Sequence, residues 1–373
     1  MRLAFIFLAI GLQAWGAWGY RRTVTIDHTQ VPNSDQANFP VLVSGTYSYL
    51  ATVANGGKVT SGSGYDIIFT SDSACAVKLD HEIESYAPTT GAVNLWFRVA
   101  SLSYTADTVV YLCYGNADVT TSQENKTGVW NANFVGVWHL REDPSGSAPQ
   151  MLDSTSLVHH GTSGGGMLTG DQVAGRVDGS LDFDGTDDGI YVPSFTQLNG
   201  TNLSISAWIN PTNFTSGGGV PRIIDRTYSG QFMLYFQNSG ELSLVVGTTG
   251  TSLTYPTHTC DVGAVVTGQW QLVAATYDGE TAVVYVNGVN CATLTTPSGP
   301  LATSTSQITI GTRPDASGRW FTGGIDEVHL LSAGLSGNWI VAEYNNQKAS
   351  STFWAIGNEV ALGGAVSRRR VIE

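Results

Sequence analysis

The segment Ser180-Leu-Asp-Phe-Asp-Gly-Thr-Asp-Asp-Gly-Ile-Tyr-Val192 constrains the chain more than any other stretch. Leu181 and Phe183 alternate with Asp182 and Asp184, Asp187-Asp188-Gly189 supplies a turn, and Ile190 to Val192 resume an extended run, so it reads strand, acidic turn, strand. Four aspartates within seven residues repel one another unless water, hydrogen-bond donors or a cation screens them. The turn is therefore both a fold marker and a candidate metal site. Short alternating runs bounded by Gly, Ser and Asp recur along the whole chain. With 44 glycines and only 13% charged residues, the expected class is all-β, two antiparallel β-sandwich domains, with one short C-terminal helix over Ser336 to Gln347.

The first residues carry Arg2, an apolar run from Leu3 to Leu12, and small residues at Ala14, Gly16, Ala17 and Gly19. This is the form of a secretory signal peptide, and cleavage after Gly19 places Ala17 at the minus-three position and Tyr20 at the mature start. The apolar run is too short to span a bilayer. The expected location is extracellular or periplasmic, without membrane insertion. The formal charge of −13 becomes −14 once Arg2 leaves, which excludes nucleic acid and anionic membrane as partners because both require a basic surface. The expected layout is leader 1–19, first sandwich 20–125, linker 126–133 anchored by Trp130, second sandwich 134–360, and a flexible basic tail 361–373 with Arg368 to Arg370.

Four cysteines allow three pairings. Two fall in each half, so the simplest assignment is Cys75 with Cys113 and Cys260 with Cys291, each contributing roughly 3 to 4 kcal/mol on the chain-entropy account. The alternative is free buried thiols. Glu82 and Glu84 share one face of a strand about 7 Å apart, a spacing open to acid–base chemistry, although a solvated carboxylate face is the commoner outcome. The glycine-rich run Gly161 to Gly166 lacks the Lys-Ser/Thr and the following helix that a phosphate loop needs.

In the first half, Tyr20-Arg21-Arg22, Phe39-Pro-Val-Leu-Val43, Asp66-Ile-Ile-Phe69, His81-Glu-Ile-Glu-Ser85, Leu95-Trp-Phe-Arg-Val99 and Tyr111-Leu-Cys-Tyr-Gly-Asn116 follow in order. This set resembles the bacterial domain of unknown function 2341 over residues 20–125. The resemblance implies an exported sandwich module, often found beside sugar-binding or adhesive domains, with no established activity. That family usually has an aromatic residue where Cys113 stands, which makes a Cys75/Cys113 bridge a local addition.

In the second half, Leu181 to Asp188, Ser206-Ala-Trp-Ile209, Gln269 to Gly279 with Val284-Tyr-Val-Asn-Gly288, and Gly323-Gly-Ile-Asp-Glu-Val328 resemble the laminin G-like, concanavalin A-like jelly roll over residues 134–360. Several members of that fold hold Ca2+. By motif, the resemblance nominates Glu142, Asp153, Asp184 and Asp326 as ligands, since hard cations take six to eight oxygens. Otherwise Asp182, Asp187 and Asp188 are solvated turn residues and Asp184 caps its own turn. For a ligand face, Arg226, Tyr228, Arg319 and Trp320 are the loop residues able to stack on and hydrogen-bond to sugar, whereas Trp208 and Trp270 belong to apolar runs.

These features favour a secreted, non-catalytic binding or adhesion protein that recognises a glycan or a surface protein through the jelly roll. The alternatives are a polysaccharide hydrolase and a structural spacer in a surface assembly. The hydrolase reading lacks the Glu-x-Asp-x-x-Glu run of jelly-roll glucanases, and no His-Glu-x-x-His helix occurs.

Overall fold

The computed structural model describes residues 18–215, 219–226, 230–249, 258–295 and 298–362. The first module contains β1 (Tyr20–Ile26), β2 (Gln36–Thr46), β3 (Ile67–Thr70), β4 (His81–Ala87), β5 (Ala92–Leu102) and β6 (Thr108–Tyr114). One antiparallel sheet runs β3-β6-β1 and the other β2-β5-β4. Alternation sends Val93, Leu95, Phe97 and Val99 of β5 into the space between the sheets, where Phe97 stacks on Phe69 with ring centroids 4.2 Å apart. The opposite face of β2-β5-β4 carries Leu42, Trp96 and Glu82, which are cross-strand partners and so point the same way.

The second module begins with β7 (Phe134–Trp138). β7 joins an eight-stranded sheet centred on the pair Leu203–Pro211 and Thr322–Leu331. A seven-stranded sheet faces it, with Arg222–Arg226, Phe232–Phe236 and Leu242–Val246 among its strands. Their inner faces form one apolar core that includes Leu181, Phe183, Ile205, Ala207, Leu234, Leu244, Ile310 and Val328. Both expected disulfides are present, Cys75–Cys113 and Cys260–Cys291. The second ties the edge strand Val289–Leu294 of the eight-stranded sheet to the end of His258–Thr259, the edge strand of the seven-stranded one.

At the C-terminal end, Trp354–Ile356 and Val360–Ala361, at the expected junction of second module and tail, pair antiparallel with β1 and extend the first module's sheet. Trp18 and Gly19, expected to leave with the leader, also pack there: Trp18 lies against Ile68, Cys75 and Cys113, and Gly19 N–H donates to Gly115 O at 3.0 Å. The segment Lys126–Val129 is a single helical turn rather than a bare linker, and Ser350–Phe353 is another.

The expected C-terminal helix forms over Gly337–Lys348, with the Ser336 side chain accepting from Trp339 N–H at its start. Its buried residues include Glu343, Asn346 and Gln347. The polar residues are buried because the helix is packed between the modules. Asn346 Oδ1 accepts from Leu42 N–H at 2.7 Å and Asn346 Nδ2 donates to Leu42 O at 3.0 Å, while Glu343 and Gln347 accept from Ser206 and Trp208 of the eight-stranded sheet. A single apolar cluster includes Phe39 and Trp96 of the first module with Ala274, Tyr285 and Leu331 of the second and Trp339 of the helix.

Candidate functional site

Where β4 meets the second module, side chains that no apolar core would hold are brought together. His81 faces the first core and Glu82 and Glu84 the seam, as period-2 alternation requires. From the other side comes the strand Thr322–Leu331. Its pairs Trp208–Asp326 and Ser206–His329 lie on the seam face, and the register shifts between them. Glu327 sits at that bulge with φ of +49°. The extra residue lets Ile325 and Val328 both reach the core while Asp326, Glu327 and His329 face the first module. A non-glycine residue at positive φ costs about 1 kcal/mol or more and persists where its surroundings fix it. His139, just after β7, enters between the carboxylates.

The His139 Nδ1 atom is 2.8 Å from Glu327 Oε1 and 3.8 Å from Glu84 Oε2, and Nε2 is 3.5 Å from Glu82 Oε2. Each carboxylate has an orienting partner. Trp96 Nε1–H donates to Glu84 Oε2 at 2.7 Å, Trp130 Nε1–H to Glu82 Oε2 at 2.7 Å, and Ser154 Oγ–H to Glu82 Oε1 at 2.6 Å. His329 bridges Glu327 Oε2 at 3.1 Å and Glu343 Oε1 at 3.0 Å. An imidazole facing a carboxylate from both nitrogens donates from both only as the cation. Above this floor lies a cleft of about 370 Å³ at the module seam, whose upper walls carry Glu124, Lys126, Arg141, Glu142 and Leu152. Two buried carboxylate oxygens of the lining, Glu84 Oε1 and Glu142 Oε2, accept no hydrogen bond among the described residues.

Burial and charge divide these groups. Burial, reinforced by the negative charge of Glu327, pushes the Glu84 carboxyl up to about 8. Burial would also raise Glu82 and Glu327, but the charge and hydrogen bonds of His139 outweigh it and hold both below the usual carboxylate range. Burial would lower His139, yet the surrounding Glu327, Glu84 and Glu82 raise it well above an ordinary histidine. His329 is likewise raised, to about 9, because hydrogen bonds to Glu327 and Glu343 outweigh its burial. At neutral pH the arrangement therefore holds protons on Glu84 and both histidines between ionised Glu82 and Glu327.

The residues nominated from sequence lie elsewhere or differ in role. Glu82 and Glu84 are 5% exposed each, not a solvated face. Both Glu82 oxygens are engaged by Trp130 and Ser154, so neither is presented as a nucleophile. No three of the four calcium candidates Glu142, Asp153, Asp184 and Asp326 bring ligand atoms within 4.8 Å of one another among the described residues. Both Asp153 oxygens are taken by Val137 N, Thr155 N, Thr155 Oγ1 and His159 N. Asp326 Oδ2 accepts from Arg176 N and Val177 N, and Glu142 Oε1 from Leu152 N. Asp184 Oδ1 caps its own turn through Thr186 N and Asp187 N. Asp188 is buried rather than solvated: its Oδ2 accepts from Asp184 N, and desolvation raises it to about 6.

On the proposed ligand face, Arg226 is fully buried. Its guanidinium donates to Gln231 Oε1, Ser304 O and Phe195 O and lies 5.0 Å over the Phe195 ring, which makes it a structural pin. Arg319 and Trp320 are half-buried, and Tyr228 lies outside the described residues. Sequence reasoning missed His139, Glu327, His329 and Glu343. The Glu-x-His pair at 327 and 329 had a readable signal, two titratable residues at i and i+2 directly after Asp326 in a strand that ends in Leu330 and Leu331. No local pattern marked His139, and Glu343 was hidden in a helix that looked merely amphipathic.

Residues 184–341 match the family described as Concanavalin A-like lectin/glucanases superfamily, and residues 63–136 match the Domain of unknown function DUF2341. The second match runs through Trp130 into β7, past the expected end of the first module. No curated protein matches the chain. Among solved structures it is similar to the botulinum neurotoxin serotype D binding domain, with 15% identity, TM-score 0.45, and 58% of this chain covering 52% of that one. It is also similar to the binding domain of Paraclostridial Mosquitocidal Protein 1, with 12% identity, TM-score 0.44, and 57% of this chain covering 52% of that one. A third likeness is to Domain 4 of AbnA, a GH43 extracellular arabinanase from Geobacillus stearothermophilus, in complex with arabinotriose, with 18% identity, TM-score 0.42, and 57% of this chain covering 98% of that one. The chain spans about half the length of the two toxin binding domains.

Proposed function

Because this chain joins a DUF2341 module to a concanavalin A-like jelly roll, we propose that it is an exported binding protein that recognises saccharide in the cleft at the module seam. The observation that carries this reading is the cleft itself. At about 370 Å³ it has the size of a small-molecule site, and its walls alternate cationic hydrogen-bond donors (Lys126, Arg141) with carboxylates (Glu124, Glu142) around only two apolar residues, Ile83 and Leu152. A polyhydroxylated ligand donates to the carboxylates and accepts from the cations. Arg141 is itself positioned, its Nε–H on Asp178 Oδ2 at 2.8 Å. The two disulfides and the leader-like first residues support an oxidising, exported location.

A glycan array probed with the full chain tests the reading. The expected result is a bound saccharide class whose affinity falls at least tenfold in Arg141→Ala and is unchanged in Trp320→Ala. Silence across the array would favour the spacer role. Loss of binding with Trp320→Ala alone would return the site to the jelly-roll loops. Release of reducing ends from a bound polysaccharide would replace binding with hydrolysis.

A further inference from the structure

Beneath the cleft, three side chains from both modules converge in a way that ion pairing alone does not require. Glu84, His139 and Glu327 each offer a ligand atom, these atoms lie within 4.8 Å of one another, and all three residues are buried. Glu84 and Glu327 are each also held by their second oxygen. Glu84 is fixed through Oε2 by Trp96, which leaves its buried Oε1 without a partner among the described residues. Glu327 is fixed through Oε2 by His329, which leaves Oε1 facing His139 Nδ1. His139 has Glu82 Oε2 at 3.5 Å from Nε2, which leaves Nδ1 toward the other two. A metal-ligating histidine commonly turns its other ring nitrogen to a carboxylate, and ligating carboxylates are themselves hydrogen-bonded.

We propose that Glu84, His139 and Glu327 form a binding site for a divalent transition ion, with the seam cleft as its entry and open coordination position. One imidazole nitrogen and two carboxylate oxygens suit an ion that accepts mixed N/O donors, and three protein ligands with one open position is the form of an accessible zinc site. Zn2+ sits about 2.0 to 2.2 Å from such nitrogen and oxygen ligands. The ion therefore replaces the direct contact between His139 Nδ1 and Glu327 Oε1 with the Glu84 carboxylate beside it, and the protons that His139 Nδ1 and Glu84 carry at neutral pH leave to solvent through the cleft as it binds. Glu82 remains beneath Nε2, and His329 with Glu343 beneath Glu327, as the groups that orient the ligands. This site is independent of the saccharide reading.

The test uses full-length protein stripped with a chelator and titrated with Zn2+ by calorimetry, with metal content measured after gel filtration. One ion per chain is expected, with affinity at least tenfold weaker in Glu84→Gln and unchanged in His28→Ala, a variant of the separate Asp27/His28/Asp107 group. Trp96→Phe keeps an aromatic ring at the site but removes the indole donor to Glu84, and is expected to weaken binding about tenfold. Should Glu84→Gln fail to fold, Cu2+-loaded wild type examined by pulsed electron paramagnetic resonance supplies the answer, since the site requires coupling to one imidazole nitrogen that survives in His28→Ala. Failure to retain Zn2+, or binding lost in His28→Ala and kept in Glu84→Gln, overturns the proposal. Saccharide binding measured on the stripped protein shows separately whether the cleft reading stands.

Discussion

Replacing Asn346 by alanine probes how the two modules are held together. Asn346 is 1% exposed and acts as a substitute peptide group on the free edge of β2, accepting from Leu42 N–H and donating to Leu42 O. The variant leaves the Leu42 N–H unsatisfied in a buried seam, which costs about 1 to 3 kcal/mol. Leu42 O keeps a second donor, Trp354 Nε1–H at 2.8 Å, so its loss is one ordinary hydrogen bond of about 1 kcal/mol. The total is about 2 to 4 kcal/mol, read as a lower urea midpoint with an unchanged m-value. Tryptophan fluorescence follows both modules in one melt, because tryptophans lie on either side of the seam. Wild type is expected to unfold in a single transition, the apolar cluster being continuous across the modules. Asn346→Asp keeps an acceptor but turns a charge toward Leu42 O, and should cost more than alanine. A change below about 0.5 kcal/mol in Asn346→Ala, or two separated transitions in wild type, would refute this account of the seam.

His329, raised to about 9 from an ordinary 6.5, contributes stability that is complete below pH 6.5 and is lost as pH rises through 9. Across that window the wild-type advantage over His329→Gln should shrink by up to about 3 kcal/mol, measured by urea melts on chelated protein at pH 6 and 9.5; a constant difference sinks the assignment of charge to His329. The double variant Cys260→Ser/Cys291→Ser opens a bridge of sequence separation 31 and should lose about 3 to 4 kcal/mol, with reductant producing no further change in that half of the molecule. Ser336→Ala removes the side-chain acceptor of Trp339 N–H and should cost about 1 kcal/mol in the same melts.

The architecture was legible because strands advertise themselves by alternation and turns by glycine and aspartate. The run Ser180 to Val192 does form a strand, a turn and a strand, Gly179–Asp184 and Gly189–Val192, now in opposite sheets of the jelly roll. Asp184 caps that turn and Asp188 is buried under it. The seam was not legible, for a physical reason. Its surfaces come from β4, from the bulged strand at Glu327 and from the helix at Glu343, and each looks solvated when read alone. Alternation correctly placed Glu82 and Glu84 on the face opposite His81, but only the docking of the second module turns that face from solvent into interior. Arg226 failed in the converse way: a charged residue in a loop-like stretch suggested exposure, while the carbonyls of Phe195 and Ser304 that bury it lie far away in sequence.

The indole N–H groups of the chain provide the most direct test of the claim that the seam is the working site. Trp96 and Trp130 donate to Glu84 and Glu82 at the floor of the cleft, whereas Trp320 lies in the jelly-roll loop. In a 15N-resolved titration with the saccharide selected on the array, the account predicts that the Trp96 and Trp130 indole signals shift to saturation while Trp320 stays in place. Saturable movement of Trp320 with Trp96 and Trp130 unmoved would contradict it.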